Sequence, residues 1–151
     1  MEIAVAGAGF VGIVHAAVMA NQGHHVILFD IDEKKITHLN AYCRNETNIL
    51  PIYEEGLEEL FRRNFREERI SFTTDAKSAI KDSEVIFIAV GTPFDDKEGR
   101  ANLSYVEDVA KCVGEVLQQF PSYKLIVDKS TVPVGTAEHV KEIEKILFWG
   151  L

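Results

Sequence analysis

Cysteine is scarce in this sequence, and its two residues, Cys43 and Cys112, stand 69 positions apart. Neither has a Cys-x-x-Cys partner or a histidine at ligand spacing, so no disulfide framework and no metal site is signalled; both thiols are expected to be reduced and structural. Long apolar runs are missing too, none approaching the roughly 18 residues of a membrane span. Basic residues do not offset the acidic ones, and the formal net charge is -8. No basic stripe is left for a nucleic acid or an anionic membrane surface. The five histidines, His15, His24, His25, His38 and His139, are scattered and read as solvent-facing or locally bonded side chains. With no charged leader before the first apolar run, the cytoplasm is the expected location.

What is present is concentrated in the first thirty residues. Ile3-Ala4-Val5-Ala6 runs into Gly7-Ala8-Gly9-Phe10-Val11-Gly12, and a second apolar run, Val26-Ile27-Leu28-Phe29, ends at Asp30. The pattern reads as strand, glycine turn, helix and strand. Glycine at 7 and 9 lets the backbone turn sharply and approach a diphosphate, and Gly12 lets the helix pack close to the strand. The unpaired N–H groups at the helix start, with the helix dipole, favour an anion there. Asp30 follows Gly12 by 18 residues, near the spacing of about 20 at which a carboxylate meets an adenosine ribose. It can accept from both ribose hydroxyls and repel a 2′-phosphate, so NAD is expected over NADP. The competing reading is a βαβ unit that binds nothing.

The remaining chain keeps the rhythm of an α/β fold. At 151 residues it is one domain's worth, able to bury roughly two-thirds of its unfolded surface. The first helix is expected from about Val11 to Gln22, with Val14, Ala17, Val18 and Ala20 around Ala16 and Gly23 closing it. A second follows Asp32 and Glu33, and a third is expected from Glu54 to Arg69, with Glu58–Arg62 and Glu59–Arg63 as surface pairs. Ile70 to Thr73 reads as a third strand, and Asp75 as the cap of the helix after it. Val85 to Val90 is apolar throughout, the mark of a strand buried on both faces, and leads to Gly91-Thr92-Pro93. Phe94 to Asn102 reads as a polar loop, and Ser104 starts a helix whose Tyr105 faces either core or crevice. Leu125 to Asp128 is a fifth strand, followed by Lys129 to Thr136, whose hydroxyl pair Ser130-Thr131 is expected to point toward the crevice, and a last helix bearing Ala137, Val140, Ile143, Ile146 and Leu147. The expected architecture is a Rossmann-type doubly wound parallel sheet with helices on both faces, in the order 3-2-1-4-5. The fourth strand then lies across the switch point from the first. A sixth strand is missing, which leaves the fifth as an open edge beside Ile146, Phe148, Trp149 and Leu151 and offers a route to self-association.

Taken in order, these motifs resemble the amino-terminal domain of the UDP-glucose/GDP-mannose dehydrogenase family. The resemblance rests on Gly7 to Gly12, Asp30 with Lys35, Pro51-Ile52-Tyr53-Glu54-Glu55-Gly56-Leu57, Val90-Gly91-Thr92-Pro93, Ala101 to Val106 and Lys129 to Thr136. Glu55 stands where the family usually has proline, and Asn102 where it usually has aspartate. By resemblance NAD is the cofactor. Its contacts are Gly7, Gly9, Phe10, Val11 and Gly12 at the diphosphate turn, Asp30 and Lys35 at the ribose, and Val90, Gly91, Thr92 and Thr131 toward the nicotinamide. For Lys35 a solvated helix surface is the alternative, and for each threonine a turn-capping hydroxyl. Family members oxidise a primary alcohol of a nucleotide-linked sugar to a carboxylate in two NAD-dependent steps through a cysteine thiohemiacetal, and Thr131 is implied to help place the catalytic water. Residues 1–151 then form a single NAD-binding domain. The family's nucleophilic cysteine and its nucleotide-sugar domain lie past the last residue, so the isolated chain is expected to bind cofactor without turning over substrate. The rival functions are a stand-alone dinucleotide-binding or interaction module and the cofactor domain of a 3-hydroxyacyl-CoA dehydrogenase-like enzyme.

Overall fold

The computed structural model describes residues 1–96 and 99–148, with side chains as far as residue 143. Ile146, Phe148, Trp149 and Leu151, expected beside the open edge, and Leu147, expected on the apolar side of the last helix, lie outside the described residues or side chains. The elements run β1 (Glu2–Ala6), α1 (Phe10–Asn21), β2 (His25–Phe29), α2 (Glu33–Cys43), α3 (Leu57–Arg66), β3 (Ile70–Thr73), α4 (Ala76–Asp82) and β4 (Val85–Ile88). A short hairpin follows, β5 (Phe94–Asp95) and β6 (Arg100–Ala101), then α5 (Ser104–Gln119), β7 (Leu125–Asp128) and α6 (Thr136–Phe148).

Five strands form one sheet in the order β3-β2-β1-β4-β7, and every pairing in it is parallel. This is the expected doubly wound arrangement, with β7 as the fifth strand of the sheet. The alternation of side chains along each strand divides the core in two. Ile3, Val5, Val26 and Leu28 face Ile13 of α1, Leu39 of α2 and Phe61 of α3. Ala4, Ala6 and Ile86 face Ala79 and Ile80 of α4 and Val113 of α5. Ile88 continues that second face with Val106, Ala110 and Val140. Alanines at both positions of β1 on the second face bring α4 and α5 close to the strand. On α1 the buried stripe is Ile13, Ala16, Ala17 and Ala20, whereas Val18 lies on the exposed side. The helix therefore packs by its small residues.

Three expectations are corrected. The third helix is shorter than Glu54 to Arg69: it starts after Gly56, whose φ is +78°, and ends before Glu68, whose φ is +56°. A left-handed residue at each end stops it. Its arginines also make their hydrogen bonds elsewhere than to Glu58 and Glu59, although the Glu58 charge still acts on Arg62. Arg62 donates to the Tyr42 hydroxyl at 3.2 Å and lies 4.5 Å over that ring, while Arg63 donates to the Asn21 side chain. Packing of α3 on α1 and α2 offers these guanidinium groups better-ordered acceptors than a solvated carboxylate one turn away. The segment from Phe94 to Asn102, expected as loop, contains the antiparallel hairpin, with Phe94 opposite Ala101 and Gly99 at φ +65° in its turn.

The caps are largely local. Asp32 accepts from the Lys34 N–H at 3.0 Å and Asp75 from the Ser78 N–H at 3.0 Å. At α5 the cap is supplied two residues before Ser104, where Asn102 Oδ1 accepts from the Ser104 N–H at 2.9 Å. Asparagine serves that turn as an aspartate can, since either offers a carbonyl-type oxygen.

Both cysteines are free, and Cys43 is buried at the end of α2. Burial pushes its thiol up from an ordinary 9.0 to about 12, against the opposing pull of Arg62. The thiol is thus held neutral by the fold. Its contribution to stability is complete below the unfolded value near 9 and is lost as pH rises toward 12. The urea midpoint is accordingly expected to fall between pH 8.5 and 10.5, and Cys43→Ala to make that decline shallower; an unchanged slope in the variant contradicts this account of the thiol.

Candidate functional site

Because every strand of the sheet is parallel, the carboxyl ends of β1, β2, β4 and β7 lie along one edge, and the order reverses between β1 and β4. A crevice opens at such a point. Its floor is the turn after β1. Gly7 has φ +106°, and an ideal Cβ there would lie 2.6 Å from the Ala89 carbonyl oxygen; a Cβ on Gly12 would lie 1.8 Å from the Gly7 carbonyl oxygen. Both glycines are therefore required by the chain's own packing. Gly9 is different. Its φ and ψ of -91° and -174° suit any residue, and a Cβ on it would meet nothing within 4 Å.

The glycine at position 9 thus keeps open a space that the protein itself does not fill. It is also the N-cap of α1, with no side-chain cap and no acidic residue in the first turn. Phe10 and Val11, the first residues of the helix, are exposed. The first N–H groups of a helix have no partner within it, and nothing negative competes for them here. Such a helix start is a cradle that can hold an anion. Gly91, on the opposite wall after β4, likewise has nothing within 4 Å of an added Cβ.

Asp30 closes the cradle from the β2 side. One carboxylate oxygen, Oδ2, accepts from the Ala8 N–H inside the glycine turn at 2.7 Å, and Oδ1 accepts from the Asp32 N–H at 2.9 Å. Lys35 Nζ stands 3.3 Å from Oδ2, with the Asp30 side chain 10% exposed and that of Lys35 47%. A carboxylate has about four lone-pair positions, so the two backbone bonds and the lysine leave acceptor capacity on the exposed side for a ribose diol. Sequence reasoning placed Asp30 at the ribose and missed that it also holds the turn, because the bond spans 22 residues.

The other wall is built from the ends of β4 and β7. Past the last ladder pair, Ile88 with Asp128, the Thr92 hydroxyl donates to the Thr131 carbonyl at 2.8 Å. Ser130, expected with Thr131 to point its hydroxyl toward the crevice, instead donates it to the Val90 carbonyl at 2.8 Å. Thr131 is exposed, and among the described residues its hydroxyl has no protein partner. Thr92 and Thr131 are therefore brought together, one hydroxyl engaged and the other open.

Two titratable groups flank this wall. Burial pushes the Asp128 carboxyl up, opposed by the Ser130 N–H, and one of its oxygens is buried without a partner. His15, edge-on to Phe87 at 4.3 Å, is pushed down by burial and then by Lys129. Both effects favour its neutral form. No cluster of three metal-ligating side chains occurs among the described residues. A cleft of about 720 Å³ lies apart from the glycine turn, between the hairpin and the starts of α5 and α6, and neither Asp30 nor Gly9 lines it. Of the expected motif residues Tyr53 is almost fully exposed and takes no part in the crevice walls described here.

Comparison with known proteins agrees with this geometry. Residues 1–147 match the model of the UDP-glucose/GDP-mannose dehydrogenase family, NAD binding domain. The UDP-glucose 6-dehydrogenase TuaD of Bacillus subtilis is 46% identical over 142 residues, which are 94% of this chain and 29% of that protein. A ternary complex of GDP-mannose dehydrogenase from Pseudomonas aeruginosa is similar at a TM-score of 0.89 and 35% identity, covering 99% of this chain and 33% of that one. A UDP-glucose dehydrogenase from Pyrobaculum islandicum is similar at 0.87 and 37%, with the same coverage. The chain spans about a third of the length of these relatives. Sequence, strand order and glycine turn agree: the chain belongs to the UDP-glucose/GDP-mannose dehydrogenase family, as its NAD binding domain.

Proposed function

We propose that this chain is the cofactor half of a nucleotide-sugar 6-dehydrogenase and holds NAD through Gly7, Gly9, Phe10, Val11 and Gly12 at the diphosphate. Asp30 and Lys35 take the adenosine ribose, and Val90, Gly91, Thr92 and Thr131 border the nicotinamide. The observation that carries this reading is the vacant side of Gly9 between two glycines that the fold itself requires. Asp30, tied to the same turn, adds a fixed negative charge that disfavours a 2′-phosphate. Lys35 is close enough to soften that charge without cancelling it.

When bound, NAD accepts hydride; the chain's own residues orient it and the reacting water. Thr131 suits the latter task, because an unpartnered hydroxyl can hold a water without titrating near neutrality. Oxidation of the sugar alcohol to a carboxylate also needs a thiolate and a nucleotide-sugar site. Buried Cys43, with its thiol held neutral, is unsuited to that nucleophilic role. The complete reaction is assigned to a longer polypeptide, and residues 1–151 to one domain of it. UDP-glucose is the first substrate to test, with UDP-ManNAc and GDP-mannose next. Two free cysteines fit a reducing compartment, and the cytoplasm is the proposed location.

A second reading is favoured by the sheet edge. β7 pairs only with β4 among the described residues, and Leu125 at its start is 48% exposed. An unpaired edge can recruit a further strand. If it joins two copies of this chain, size exclusion will show a dimer that Leu125→Lys returns to monomer; a monomer at all concentrations contradicts self-association and leaves the cofactor reading untouched.

The cofactor reading is tested by titrating NAD and NADP into variants that stay folded. Gly9→Val, which fills the open side of the turn, is expected to weaken NAD more than 100-fold, a loss of roughly 3 kcal/mol. Asp30→Ala is expected to weaken NAD about tenfold and to narrow the gap between NAD and NADP. Unchanged affinity in Gly9→Val removes the turn from the site, and an Asp30→Ala protein that still excludes NADP contradicts the role of the carboxylate.

A further inference from the structure

We propose that Ser130 is a positioning residue for the nicotinamide end of the crevice, acting through the backbone at Val90 and Thr131. This rests on the cofactor reading above. The parallel ladder between β4 and β7 ends at Ile88 and Asp128; past it the Ile88 carbonyl still holds the Lys129 and Ser130 N–H groups, and the facing residues farther along, which form the crevice wall, need other ties. Two hydroxyls supply them in opposite directions. Ser130 Oγ donates to the Val90 carbonyl at 2.8 Å, and Thr92 Oγ1 donates to the Thr131 carbonyl at 2.8 Å.

Ser130 also lies 3.2 Å from the Ile88 carbonyl, but that oxygen already accepts from the Lys129 and Ser130 N–H groups at 2.8 and 3.0 Å. With its two lone pairs taken, the hydroxyl proton belongs to Val90. The serine is itself turned into position by its N–H, which also reaches Asp128 Oδ1 at 3.1 Å. The result is a reciprocal clasp: each chain segment lends a hydroxyl to the other's carbonyl. It fixes the distance between the Val90-Gly91-Thr92 and Ser130-Thr131 segments while leaving the Thr131 hydroxyl unpartnered.

A residue acting this way affects only the nicotinamide half of a dinucleotide. The experiment compares NADH with ADP-ribose, which lacks the nicotinamide, by calorimetric titration of the 151-residue chain. The wild-type chain is expected to bind NADH more tightly than ADP-ribose. Ser130→Ala is expected to weaken NADH about fivefold, the scale of one hydrogen bond, and to leave ADP-ribose within twofold. Asp30→Ala, as a control, lowers both alike. Equal losses for the two ligands in Ser130→Ala, no loss for either, or a wild-type chain that does not distinguish them each overturns the proposal. A wild-type chain that binds neither overturns the cofactor reading itself. Should Ser130→Ala not fold, Ser130→Cys, of similar shape and with a much weaker donor, carries the same expectation.

Discussion

The structure depends on how closely α1 can begin above the end of β1. A side chain at Gly12 would overlap the Gly7 carbonyl at 1.8 Å, and one at Gly7 would overlap the Ala89 carbonyl at 2.6 Å. These are clashes with backbone, which no rotamer change relieves. Two glycines thus let three segments meet at the switch point: the turn after β1, the first turn of α1 and the chain leaving β4. Ala16, Ala17 and Ala20 continue the close approach along the helix. The crevice lies where it does because the backbones come this near.

The walls are finished by side chains bonded to backbone. Asp30 ties the end of β2 to the glycine turn, and the hydroxyls of Ser130 and Thr92 tie the end of β7 to that of β4. All three bonds lie past the regular ladder, where few backbone bonds between the strands remain. The charge on Asp30 and the open N–H groups of α1 are therefore set in place before any ligand arrives. Pre-organisation of this kind reduces the ordering that binding would otherwise require.

Much of this was legible in the residues. The strands β1, β2 and β4 are continuous apolar runs, the glycine turn is a local signal, and Asp30 follows from spacing along the chain. The strand order followed once the fourth run was recognised as buried on both faces. What stayed hidden depends on contacts between distant segments. Arg62 has Glu58 one turn away, yet it donates to the Tyr42 hydroxyl and the Asn45 side chain, brought near only by packing of α2 on α3. The hairpin from Phe94 to Ala101 has no apolar alternation to announce it, only Gly99 in its turn. Ser130 reads in the sequence as a crevice hydroxyl like Thr131, since its actual acceptor is a carbonyl 40 residues earlier.

The central claim is that the turn after β1 and the carboxylate of Asp30 form a working NAD site within these 151 residues. It is tested most directly by the thermal midpoint of the chain with NAD and, separately, with NADP in excess. At a hundred times the dissociation constant, binding to the native state adds about 2.7 kcal/mol, or roughly 5 to 10 °C for a domain of this size. A rise of that order with NAD and little with NADP is the predicted result. No rise with either, or an equal rise with both, contradicts the account.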